Sequence, residues 1–188
     1  MSNQGSDSKV LQTLALENAI RSRMDAIVRR AAETVTLLKP KSERDQSELR
    51  ENQIRNVINV AEESKSVEVV TNFIRYQIGR SASGRQWQYN GFGLRVIEDI
   101  EEGVVAEQAE IVGKQAAEWI EKLGDTADMQ TLCNQAYLEL TRYYLGYLNR
   151  AFYFCDKIEA ENRERARRGQ KPLVDDPWTA AVRTKEVC

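Results

Sequence analysis

Apolar residues recur along most of this chain in steps of three and four, the spacing of one helix face. From Ile20 they run through Met24, Ile27, Val28, Ala31, Val35 and Leu38. That run predicts a first helix opened near Ser6 or Ser8 and stopped before Pro40. After the polar stretch KSERDQSEL, the positions Ile54, Val57, Ile58 and Ala61 predict an amphipathic helix of about three turns. Ser66 is placed to cap a third helix carrying Val67, Val70, Ile74 and Ile78, with Gly79 suited to its C′ position. The second and third helices are expected to form a tight antiparallel pair.

Residues 80–93, RSASGRQWQYNGFG, interrupt the pattern with three glycines, two arginines and three aromatics. Beyond them Leu94, Ile97, Ile100, Val104, Ile111, Trp119 and Leu123 predict a long helix bent near Gly103. Gly124 and Asp125 are expected to end it and to cap the next helix, which runs from Thr126 to Arg168. Its apolar stripe is Met129, Cys133, Ala136, Leu140, Tyr144, Tyr147, Ala151, Cys155 and Ile158. Gly169 stops it, and the aperiodic stretch 169–188, with Pro172 and Pro177, predicts an extended or disordered tail. The expected fold is an all-α bundle of about five helices forming a single helical domain over residues 1–168, with one Gly/aromatic loop.

Composition narrows the function. The 188 residues contain no histidine, which removes Ser-His and Cys-His nucleophile pairs, histidine general bases and histidine-ligated metal sites. Cys133, Cys155 and Cys188 form no Cys-x-x-Cys pair, so three reduced thiols are expected and no cofactor. No signal-like start or long apolar run is present, which predicts a soluble cytoplasmic protein without a membrane partner. The 27 Lys+Arg and 29 Asp+Glu are unevenly placed: residues 91–141 hold 3 basic and 11 acidic groups. One stretch is therefore −8 and the rest +6, so basic surfaces can exist on a mildly acidic chain.

Four groups of residues bear on chemistry. In the acidic helix, carboxylate pairs such as Glu98/Glu101 could hold Mg²⁺, as in all-α nucleotide hydrolases. Rotation at 100° per residue nonetheless puts Glu98, Asp99, Glu102 and Glu110 off the apolar stripe, and a solvated face is the expectation. On the last long helix, Arg142, Arg150, Tyr153 and Lys157 fall on one ridge, with Gly146 as a gap, which suits a phosphate backbone. The loop gathers Arg80, Arg85, Trp87, Tyr89 and Phe92, either as cations and rings for nucleic acid or as a plug for the bundle end. The arginines of the first helix, Arg21, Arg23, Arg29 and Arg30, are diluted by acids and expected in solvent.

At Leu49 to Arg80 the run LRENQIRNVINVAEESKSVEVVTNFIRYQIGR opens a short helix with Gln53-Ile54-Arg55. That entry resembles the S-Q-I-R start of the helical small subunit of type III CRISPR effector complexes. The later LTRYYLGYLNRAFYFCDKIEAE is similar in character to the end of that subunit, and the two stretches cover about a third of the chain. The resemblance implies a non-catalytic subunit present in several copies and packed against the backbone and large subunits. It also implies contact with the backbones of guide RNA and target RNA without reading sequence. Gln53 and Arg55 match the motif, while Arg75, Arg80 and Arg142 join the RNA-binding set on charge and position. The competing expectation is a protein-only helical adaptor gripping its partner through the loop and the tail around Asp176, Pro177 and Trp178.

Overall fold

The computed structural model describes residues 4–42 and 45–182. Eight helices follow in order: α1 (Gln4–Arg21), α2 (Met24–Val35), α3 (Glu51–Glu63), α4 (Val67–Gly79), α5 (Phe92–Glu101), α6 (Val104–Lys122), α7 (Met129–Arg167) and α8 (Pro177–Val182). Among the described residues there is no strand, only an isolated bridge between Ser42 and Asp45. The all-α expectation holds, and the helix count rises because two predicted helices are each divided and the expected tail forms α8.

Both divisions have local causes. The first helix breaks at Ser22 and Arg23, where the Ser22 hydroxyl donates to the Ala19 carbonyl and competes with the helical ladder. The break lets α1 lie on α6 while α2 follows α7. The acidic helix divides at Glu102 and Gly103, whose N–H groups both converge on the Glu98 carbonyl. Gly103 then opens α6 in a non-helical conformation, so α5 and α6 have separate axes and separate buried faces.

The 39-residue α7 is the central element. It is capped by Asp128, whose carboxylate accepts from the Gln130 and Thr131 N–H groups, and not by Asp125. Its buried stripe of Leu132, Ala136, Leu140, Tyr144, Leu145, Leu148, Phe152 and Cys155 packs mainly against α6, α2 and α3. The closest crossing is glycine-dependent. A Cβ on Gly113 of α6 would fall 2.2 Å from Cys133 Sγ and 2.8 Å from the Cys133 backbone. Helix α3 starts where Gln53 Oε1 accepts from the Arg50 N–H at 2.9 Å. Gly79 is the last residue inside α4 and not its C′ residue, and Arg80 is the C-cap.

The buried apolar residues form one cluster running from Ala15 to Trp178. Its inclusion of Trp178 corrects the expected tail. Residues 177–182 are helical and seat the Trp178 ring, 5% exposed, in the core. Lys39 pairs with Asp176 at 2.7 Å, Asn162 donates to the Val174 carbonyl, and the Cys155 thiol donates to the Pro177 carbonyl. The tail expectation for residues 183–188 lies outside the described residues.

Candidate nucleic-acid interface

The nine predicted RNA-binding residues separate into those occupied by the fold and those left at the surface. Trp87 is fully buried and tilted against Phe92 with ring centroids 5.6 Å apart. It plugs the bundle and cannot stack on a base, which corrects its assignment. Nor is its loop a free arm. Tyr89 OH donates to the Asp45 carbonyl, Asn90 Nδ2 to the Leu37 carbonyl and Gln88 Nε2 to the Ile78 carbonyl. The Arg85 carbonyl accepts from the Glu48 N–H.

Gln53 is occupied as well. Besides capping α3, its amide donates to Gln86 Oε1 at 2.9 Å and ties the helix to the loop. Arg142 reaches across to the end of α3 and donates to the carbonyls of Ala61 (2.9 Å), Ser64 (3.0 Å) and Glu62 (3.3 Å). Those carbonyls carry the negative end of the helix and lack intrahelical partners, so a guanidinium satisfies them in number and charge. Arg142 is therefore a structural clamp and leaves the proposed track. Arg75 pairs with Glu101 at 2.7 Å, and Arg55 with Glu51 one turn away. Burial tends to raise the Glu101 carboxyl, but bonds from Arg75 and Thr71 hold it below its ordinary value. Arg85 keeps a loose 3.8 Å pair with Glu48, and Arg80 lies over the Tyr76 ring at 5.5 Å.

Arg150 and Lys157 remain as two exposed cations on one helix face, Lys157 reaching the neighbouring Asp156 carboxylate at 3.3 Å. At 3.6 residues per turn, Tyr143, Gly146, Arg150, Tyr153, Phe154 and Lys157 share an arc of about 100° and span about 21 Å along the axis. Tyr143, Tyr153 and Phe154 are exposed at 44%, 47% and 38%. Each cation stands beside a ring, Arg150 over Tyr147 at 4.9 Å and Lys157 over Tyr153 at 5.2 Å. Nothing lies within 4 Å of a Cβ built on Gly146, so the gap in the ridge opens to solvent. The ridge predicted on α7 exists without Arg142 and with more rings: Tyr143 and Phe154 point outward as well as Tyr153. Their solvent-facing angle was the available signal.

The acidic helix holds a residue whose role the helix wheel concealed. Asp99 is 1% exposed and accepts from Arg30 Nε at 2.8 Å, Arg30 Nη2 at 2.7 Å, Thr34 Oγ1 at 2.5 Å and Tyr144 OH at 2.7 Å. One wheel drawn through α5 and α6 together placed it outside. On the separate axis of α5, Phe92, Val96 and Asp99 extend the buried face. Arg30, expected in solvent, is thereby drawn inward, and its bond to Asp99 raises its pKa. Burial, then the Asp99 charge, pushes the Tyr144 phenol well above its ordinary range. This cluster joins α2, α5 and α7 and is closed to a substrate.

Among the described residues, no three Cys, Asp or Glu side chains gather in a way that could hold a metal ion. No helix among them is long and apolar enough to cross a membrane. No protein-family profile, curated protein or solved structure matches the chain.

Proposed function

We propose that this chain is a non-catalytic, RNA-associated subunit of a ribonucleoprotein, most specifically the small subunit of a type III CRISPR effector complex in antiviral defence. Copies of it sit beside the backbone and large subunits in the cytoplasm and touch guide and target RNA through charge and shape. The observation that carries the reading is the α7 ridge, where Arg150 and Lys157 stand exposed on a long helix beside the open position Gly146. Cations on a rigid rod with clearance between them can follow a phosphate backbone. The adaptor reading is less supported, because Trp87 of the loop and Trp178 of the tail are both buried in the chain's own core.

The test is RNA affinity measured across a salt series for the parent chain and for the Arg150→Ala/Lys157→Ala double variant. Each phosphate contact adds about 0.7 to 0.9 to the slope of log affinity against log salt. The double variant is expected to lower the slope by about 1.5, with its melting temperature unchanged. An unchanged slope removes the ridge from RNA contact.

A further inference from the structure

Because α1 leaves the α7 axis at Ser22 and Arg23, the two helices diverge and enclose a groove of about 920 Å³. Its volume falls in the range of small-molecule and cofactor sites. Tyr143 and Tyr147 line it from α7; Tyr143 also belongs to the ridge, and Tyr147 carries the ridge cation Arg150 over its ring. Groove and ridge are one continuous surface. We infer that the groove seats unpaired bases of a single RNA strand whose phosphates continue along Arg150 and Lys157, an inference that rests on the RNA reading above.

The lining fits that occupant. Tyr143 and Tyr147 offer flat rings on which any base can stack, and Leu16, Ile20 and Met24 supply an apolar floor one turn apart on the opposite bank. Two amides, Gln12 and Gln135, face the same space and carry both a donor and an acceptor suited to base edges. Lys9 and Arg21 stand on the α1 bank. Of the two acids there, Glu139 already pairs with Arg142, leaving Glu17 against Lys9, Arg21 and the adjoining Arg150. Polar residues interrupt the apolar floor, which favours a base with its polar edge over the continuous apolar stripe of a partner helix. A duplex, whose bases are already stacked and paired, could reach the ridge but not the groove.

The experiment measures anisotropy of three labelled probes with the full chain: oligouridine, an abasic ribose-phosphate chain of equal length, and an RNA duplex. The parent is expected to prefer oligouridine over the abasic chain by about tenfold, the scale of one or two stacked bases. The Tyr143→Leu/Tyr147→Leu variant keeps apolar bulk but removes the flat rings, and it is expected to abolish that preference, lowering oligouridine affinity by more than it lowers abasic-chain or duplex affinity. If the pair lowers the melting temperature, Gln12→Ala/Gln135→Ala is read instead and is expected to reduce the preference severalfold. Salt-sensitive binding with no preference for bases over the abasic chain overturns the groove inference and leaves the ridge reading standing. Equal losses on all three probes overturn it too. A chain that ignores every RNA probe overturns both and leaves the groove to a helix of a protein partner.

Discussion

Replacing Asp99 by alanine removes the acceptor for four donor groups at once. The Thr34 hydroxyl and the Tyr144 hydroxyl are left inside the core, because those residues are 2% and 0% exposed. A buried donor without a partner costs about 1–3 kcal/mol. Arg30 loses less, since its side chain is 31% exposed and water recovers part of its solvation. The sum is about 3–5 kcal/mol, the range for a buried pair broken from one side. For a chain of this size each kcal/mol moves the melting temperature by about 2–4 °C, so a fall of about 6–20 °C is expected. Urea unfolding followed by circular dichroism reads the free energy, with an unchanged m-value confirming that the folded state stays compact. A cycle with Tyr144→Phe separates the network from simple packing. Alone, that substitution is expected to destabilise by about 1 kcal/mol, and in the Asp99→Ala background to be neutral or stabilising because it removes an orphaned hydroxyl. A loss below about 1 kcal/mol for Asp99→Ala, or zero coupling in the cycle, would refute the reasoning.

Gly113→Ala is expected to destabilise by at least about 1–3 kcal/mol because its Cβ meets the Cys133 backbone at 2.8 Å, and Cys133→Ala is not expected to rescue it. Gly146→Ala, with open space at its Cβ in mid-helix, is expected to stabilise by about 0.5–1 kcal/mol; thermal melts rank the two. Burial pushes the Cys155 thiol from 9.0 to about 12, so the folded state favours the neutral thiol and its stability contribution falls as pH rises from 9 toward 12. Brief iodoacetamide treatment at neutral pH is expected to mark the partly exposed Cys133 before Cys155, as read by peptide mass spectrometry. Bonds from Lys39 and Thr179 hold the Asp176 carboxyl down at about 2 from an ordinary 3.8. That contribution is complete above the ordinary value and lost as pH falls through about 2, so hydrogen exchange of residues 177–182 is expected to quicken over that window, and at higher pH in Lys39→Ala.

The helical class and the long extent of α7 were legible because periodicity records which face of a helix meets a core. What periodicity could not register was where an axis changes. Ser22 and Gly103 do not interrupt the apolar spacing, yet each redirects the chain, and Asp99 is inward because Phe92 and Val96 widen the buried face of α5. The site was partly legible for a related reason. Charge and angle identified Arg150 and Lys157, which stay exposed although Lys157 reaches the adjacent Asp156, but the same criteria selected Arg142, and the motif resemblance selected Gln53. Those two are occupied by the carbonyls ending α3 and the N–H opening it, partners supplied by elements distant in sequence or by a cap geometry that residue type alone does not specify. Trp87 was open to a core or a surface role and Trp178 was expected in an extended tail, and burial of their large apolar area puts both in the core.

The acidic surplus of residues 91–141 and an RNA contact on α7 are compatible because the helix register keeps them apart. Gly113 lies against Cys133, and the short connection over residues 123–128 returns the chain, so α6 and α7 run antiparallel with facing pairs whose residue numbers add to about the same total. Glu107, the first acidic residue of α6, then stands level with about Glu139. Arg150 lies eleven residues further along α7, about 16 Å, and Lys157 lies about 27 Å along. Exposed charges at physiological salt are screened over about 8 Å, so the carboxylates from Glu107 to Glu121 do little to cancel the ridge or to repel a strand lying on it. Within the segment, three of the four nearer acids are already matched, Glu98 by Arg95, Asp99 by Arg30 and Glu101 by Arg75, which leaves Glu102. A net charge of −2 therefore describes no surface of this molecule; its sign changes along one helix pair. An RNA approaching the C-terminal half of α7 meets a locally cationic, ring-bearing face, while the outer face of α6 remains acidic.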